Sequence, residues 1–196
     1  MSAELEAFYL EHYSTSHVGS QGLYHANPLG IWFAQGLFGV ANSQIPMVNI
    51  WDDHDIIDGY GSYPNHFNRC PVFTGLGAIA FKYYMLFQHQ STVQEREEDE
   101  PSWLLGGAPG PYIPELSRST FMFLGRAVAL LGLDCRTERM RDMVISARSY
   151  RRIFARLKKE MVPDETKHLI VLLGVPIAYP RLVWLENLYA PPPYYS

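Results

Sequence analysis

An α/β fold is what this sequence predicts, and three observations carry that expectation. Two short apolar runs of strand length, residues 45–51 (IPMVNIW) and 169–173 (LIVLL), end at turn-forming residues. Carboxylate-rich clusters follow the strands, the layout of an α/β site whose chemistry sits at the carboxyl ends of its strands. Residues 146–161 place Tyr150, Ile153, Phe154, Leu157 and Met161 on one face of a helix.

The elements follow in order. Leu5, Phe8, Tyr9 and Tyr13 recur at helical spacing behind the acidic Glu4 and Glu6, where a helix dipole favours negative charge. A second helix is expected over residues 29–40, weakened by Gly36 and Gly39. Pro46 suits the start of the strand at 45–51 better than its middle. Gly59, Gly61 and Pro64 then force a loop. Residues 75–90 read as a largely apolar helix buried on more than one side. The run Glu95-Arg96-Glu97-Glu98-Asp99-Glu100 reads as a solvated acidic linker, and residues 105–114, rich in Gly and Pro, continue it. Residues 117–124 and 127–133 form a hairpin about Gly125-Arg126. The helix at 146–161 carries Arg148, Arg151, Arg152, Lys158 and Lys159, either a solvated basic face or one that binds phosphate or lipid. The uniform 169–173 run reads as a strand covered on both faces, and a short helix is expected over 181–188. The tail Ala190-Pro191-Pro192-Pro193-Tyr194-Tyr195-Ser196 has polyproline character.

Composition narrows the function classes. With 196 residues, 47% hydrophobic and 18% charged, the chain is sized for one globular domain. A net charge of −4 gives no general nucleic-acid signal. Cys70 and Cys135 stand outside any disulfide or zinc pattern and read as reduced thiols. No signal peptide is apparent, and no apolar run reaches the roughly 20 residues that span a bilayer, so a cytoplasmic location is expected, with peripheral membrane association left open.

The chemistry concentrates in Trp51-Asp52-Asp53-His54-Asp55, with Asp58 close behind. So many carboxylates at the edge of an apolar core call for a cation. A calcium EF-hand does not fit, because the loop lacks its glycine and its closing glutamate; no nucleophile elbow accompanies His54. Hard oxygen ligands that hold one or two divalent ions to activate water, beside an imidazole that donates to a phosphoryl oxygen, fit better. Asp134 at a second strand end could orient a ligand. Arg136 and Arg139 could clamp a phosphate or form structural ion pairs with Asp134 or Glu138.

Trp51-Asp52-Asp53-His54-Asp55 resembles the Asp-Asp-His-Asp/Glu motif of the PhoD-like alkaline phosphatases and phosphodiesterases, in the calcineurin-like metallophosphoesterase superfamily. Leu133-Asp134-Cys135-Arg136-Thr137-Glu138-Arg139 is similar to that family's second strand-end motif. Residues 56–63 (IIDGYGSY), 81–90 (FKYYMLFQHQ) and 167–187 (KHLIVLLGVPIAYPRLVWLEN) are similar to its fungal-type branch. The resemblance implies a partial four-layer α/β sandwich over residues 1–188, an incomplete mixed sheet flanked by helices, followed by a Pro/Tyr-rich tail at 189–196. It implies hydrolysis of a phosphoester substrate at a centre of divalent or trivalent ions (calcium, iron, manganese or zinc).

By the same likeness, Asp53 is a metal ligand with Asp52 beside it as ligand or supporting acid, and His54 is the transition-state histidine. Asp55, Asp134 and Arg139 support, while Arg136 joins His54 in the reaction. The family's first Gly-Asp motif and its late Gly-Asp-Val-His motif have no counterpart in residues 1–196. The expectation is therefore a fragment with an incomplete two-metal site. The alternative is a noncatalytic binding or scaffolding remnant that contacts a protein or an anionic membrane.

Overall fold

The computed structural model describes residues 3, 4, 6, 7 and 44–177. Its elements are a 3-10 turn at Asp53–Asp55, helices α1 (Asn65–Asn68), α2 (Pro71–Tyr83) and α3 (Ala147–Glu160), and strands β1 (Trp103–Pro109), β2 (Leu116–Phe123), β3 (Val128–Leu133) and β4 (His168–Leu173). Residues 3, 4, 6 and 7 are helical. The rest of the N-terminal helix at Leu5, Phe8, Tyr9 and Tyr13, the helices expected at 29–40 and 181–188, and the tail lie outside the described residues.

The sheet is mixed, in the order β1-β2-β3-β4. β2 and β3 are the expected hairpin, antiparallel with Thr120 opposite Gly132, and β4 runs parallel to β3 with Leu169 opposite Ala129. Successive side chains point to opposite faces of a strand, so one sheet serves two cores. Trp103 and Leu105 join Trp51, Phe81, Tyr84 and Ile113 on the α2 side. Leu104, Phe121, Leu131 and Leu133 join Ile145 and Ile153 on the α3 side. Among the described residues this is one sheet with an apolar cluster on each face; the four-layer sandwich goes beyond it.

Three expectations need correction. Residues 45–51 form no strand among the described residues. The run crosses the sheet instead: Ile50 lies against Gly132 and the Asn49 amide donates to the Gln88 carbonyl at 3.1 Å. Only Trp51 at its end is buried, while Ile45 and Met47 are exposed, so an apolar run of strand length marks neither pairing nor burial by itself. The Gly-rich stretch from 105 is a loop only in its second half, 110–114; residues 105–109 belong to β1. Its glycines serve close approach, since a Cβ at Gly106 would strike Glu138 and Ser117, and one at Gly107 the Arg148 stem. Finally, β4 is open where its sequence reads as doubly covered. Ile170, Val171 and Leu172 are 49%, 43% and 38% exposed, and β3 is its only neighbour in the sheet among the described residues.

The apolar helix at 75–90 starts earlier, with Pro71 in its first turn where a missing N–H costs nothing, and ends in a π-helical turn at Tyr84–Gln88. The helix at 146–161 forms as expected, with Ser146 capping the Ser149 N–H, but its apolar side is split: Ile153 is buried while Tyr150 and Phe154 are exposed. The acidic run at 95–100 is tied down rather than free. Glu97 accepts from the Leu105 N–H at 2.7 Å and pairs with Arg152 at 2.9 Å.

Candidate metal corner

The Asp-rich motif folds as a capped turn. Asp52 is the N-cap: its carboxylate accepts from the Asp53 N–H at 2.8 Å, while Asp55 reaches back to accept from the Asp52 N–H at 2.7 Å. This reciprocal capping box satisfies donors that a helix start leaves orphaned. Trp51 anchors the turn from below. Fully buried, its ring stacks on Tyr84 at 4.8 Å, and its Nε1–H donates to Asp134 at 2.8 Å.

Asp53 sits above this base. It accepts from the His54 and Gly59 N–H groups at 3.0 and 2.9 Å. Burial pushes its carboxyl up, but the Gly59 bond, the Arg136 guanidinium 3.6 Å away and His54 outweigh that, and its pKa is held below the ordinary carboxylate value. Asp55 goes the other way. Burial, aided by Asp52 and Asp53, overcomes the bonds from the Asp52 N–H and the Gln88 amide and pushes its pKa up to about 6. Side by side, one carboxyl is kept ionised and available while the other is kept as an internal brace.

His54 and Asp58 face outward, 54% and 83% exposed, with Nε2 and Oδ1 3.3 Å apart. One ligand atom each from Asp53, His54 and Asp58 lies within 4.8 Å of the others. Two carboxylate oxygens and an imidazole nitrogen are a donor set suited to manganese, iron or zinc. Asp58 belongs to the acidic cluster but was not singled out by its sequence; its signal was the i, i+4 spacing to His54, which one turn of chain brings to the same side.

Arg136 and Asp134 meet the same corner from the end of β3. Arg136 is nearly buried and closes on Asp52, donating from Nε at 2.6 Å and from Nη2, which also reaches the Gly174 carbonyl at 2.8 Å. Its partner is thus neither Asp134 nor Glu138. Asp134 is 1% exposed and accepts from Trp51 Nε1, the Arg118, Arg136 and Thr137 N–H groups, and the Thr137 hydroxyl. Glu138, also buried, accepts from Ser117, Ser149 and the Ser146 N–H, which fixes the start of α3. Arg139 stands apart from the carboxylates, its stem packed against Gly61, where φ of +88° and the close approach together require glycine.

Comparison with known proteins agrees with the motif. A family described as "PhoD related phosphatase" matches residues 22–191. A protein of Saccharomyces cerevisiae, "Uncharacterized protein YGR266W", is 42% identical over 193 residues, which is 95% of this chain and 27% of the relative. The chain therefore spans about a quarter of that relative's length. No solved structure matches this chain. With the match covering most of its length, and with the acidic turn inside that match, the chain belongs to the PhoD-related phosphatase family.

Proposed function

We propose that Asp52–Asp58 is one metal-holding corner of a phosphoester hydrolase, with Asp53 and Asp58 as carboxylate ligands and His54 as the imidazole beside them. The single observation supporting this is the convergence of Asp53, His54 and Asp58 within 4.8 Å, in a chain of a phosphatase family. A bound divalent ion would supply water activation and charge neutralisation at the phosphoryl group. The residues themselves supply position and protons. Asp53, kept ionised, offers an anionic oxygen at any pH near neutrality. His54, exposed and braced by Asp58, can donate from its imidazole to a phosphoryl or leaving-group oxygen. Arg136, spent on Asp52 and largely out of solvent, positions the turn rather than gripping substrate.

A second reading has its own observation. Three donors from one loop fall short of the ligands a two-metal centre gathers from several strand ends. The further ligands would come from outside the described residues, and without them the corner binds an ion and does not turn over. Manganese and zinc titrations by calorimetry, run beside hydrolysis of bis-p-nitrophenyl phosphate, separate the readings. Metal binding with turnover, both lost in Asp53→Ala, is the outcome expected of an enzyme. Binding without turnover supports the noncatalytic reading, and unchanged metal affinity in Asp53→Ala sinks the ligand assignment itself.

A further inference from the structure

We infer that the exposed side of α3 is a docking surface for an anionic lipid bilayer. The inference is independent of the metal corner. It starts from charge: α3 carries six basic residues against one acid, Glu160, on a chain whose net charge is −4. Six of the sixteen Lys and Arg residues thus lie on this one 14-residue helix.

Two of the six are already used. Arg152 pairs with Glu97, and Arg156 pairs with Glu160 and donates to the Pro101 carbonyl. Arg148, Arg151, Lys158 and Lys159 are exposed and make no ion pair among the described residues. Next to the buried stripe of Ser149 and Ile153 come Tyr150 and Phe154, one turn apart, stacked with ring centroids 6.3 Å from each other and 39% and 64% exposed. At 3.6 residues per turn, Arg151 and Lys158 follow within roughly 60° of Phe154 around the helix, with Arg148 and Lys159 beyond them.

Aromatic rings bordered by unpaired cations on one helix side match a bilayer interface, where rings enter the headgroup level and cations meet anionic lipid. The same composition argues against coverage by an apolar protein layer, because burying four unpaired cations there would be prohibitive. The occupant that fits both parts of the surface is an anionic membrane.

The test is co-sedimentation of the whole 196-residue chain with vesicles of phosphatidylcholine alone and with about 30% phosphatidylserine. Binding is expected with phosphatidylserine, weak or absent with phosphatidylcholine, and reduced by salt. Because each basic residue near such a surface is worth about fivefold in partitioning, Arg151→Glu with Lys158→Glu should cost at least about 25-fold. Tyr150→Ser with Phe154→Ser should weaken binding with the charges intact. All four side chains are exposed, so the fold is not at risk, and circular dichroism checks it. No preference for phosphatidylserine, indifference to either double substitution, or binding to polyglutamate in place of vesicles would overturn the inference.

Discussion

The Arg136 guanidinium closes on a single oxygen of Asp52, Oδ1, across 84 positions of sequence, and its Nη2 also holds the Gly174 carbonyl. This joins the acidic turn to the ends of β3 and β4. Removing the cation strands Asp52 and leaves Asp53 without its nearby positive charge. Arg136→Ala should cost about 2–3 kcal/mol in urea unfolding, since bonds to charged groups are worth more than neutral ones. Arg136→Lys, which keeps the charge but not the fork, should recover about half. Equal stability of the alanine and parent chains would show that the pair is incidental.

Asp134 gives a larger effect. Its carboxylate accepts five hydrogen bonds at 1% exposure, so truncation leaves five donors facing a void. Asp134→Ala should cost about 3–5 kcal/mol and expose Trp51, visible as a red-shifted emission. A loss under about 1 kcal/mol would mean that water replaces the carboxylate at no cost.

Asp58 separates ligand from helper. As a ligand, its removal in Asp58→Ala should weaken manganese binding by at least about tenfold. If Asp58 only braces His54, metal affinity stays put and only the pH dependence of turnover moves.

What the sequence made legible was chemistry more than register. Asp52, Asp53 and His54 stood out because contiguous acids at the end of an apolar run are costly, and the hairpin and α3 followed from turn residues and periodicity. The roles inside the cluster were not legible. Asp52 and Asp55 differ in burial and in which distant donor reaches them, Arg136 from the end of β3 or Gln88 from the π-turn, and neither difference can be read from the motif. Residues 45–51 and β1 were misread for related reasons. An apolar run does not say whether its backbone pairs, and glycines chosen so that Glu138 and Arg148 can approach look like loop glycines.

β4 carries a liability. Its apolar side chains Ile170, Val171 and Leu172 are exposed at a strand with an open edge among the described residues. Such an edge templates pairing with another chain. The 196-residue chain should self-associate in a concentration-dependent way, and Val171→Lys should reduce this without loss of the parallel β3–β4 pairing. Monodisperse behaviour of the parent chain at high concentration, by light scattering, would count against it.

Two groups, the buried Asp55 and the half-buried His89, should cancel in the pH dependence of stability. Asp55 is pushed up to about 6, so the fold favours its protonated form; that contribution is complete below its ordinary 3.8 and is lost as pH rises through about 6. His89 is pushed down to about 4, chiefly by burial, against Tyr84 at 4.6 Å. Its contribution is complete above its ordinary 6.5 and is lost as pH falls through about 4. The windows overlap with opposite sign, and each shift is worth about 3 kcal/mol. The parent chain should therefore be nearly flat in stability between about pH 4 and 6. Asp55→Asn should unmask the histidine, so that stability falls on acidification. His89→Phe, which keeps the ring contact, should unmask the carboxyl, so that stability rises on acidification. Slopes of the same sign in both variants, from urea titrations across this range, would show that the two groups are not opposed.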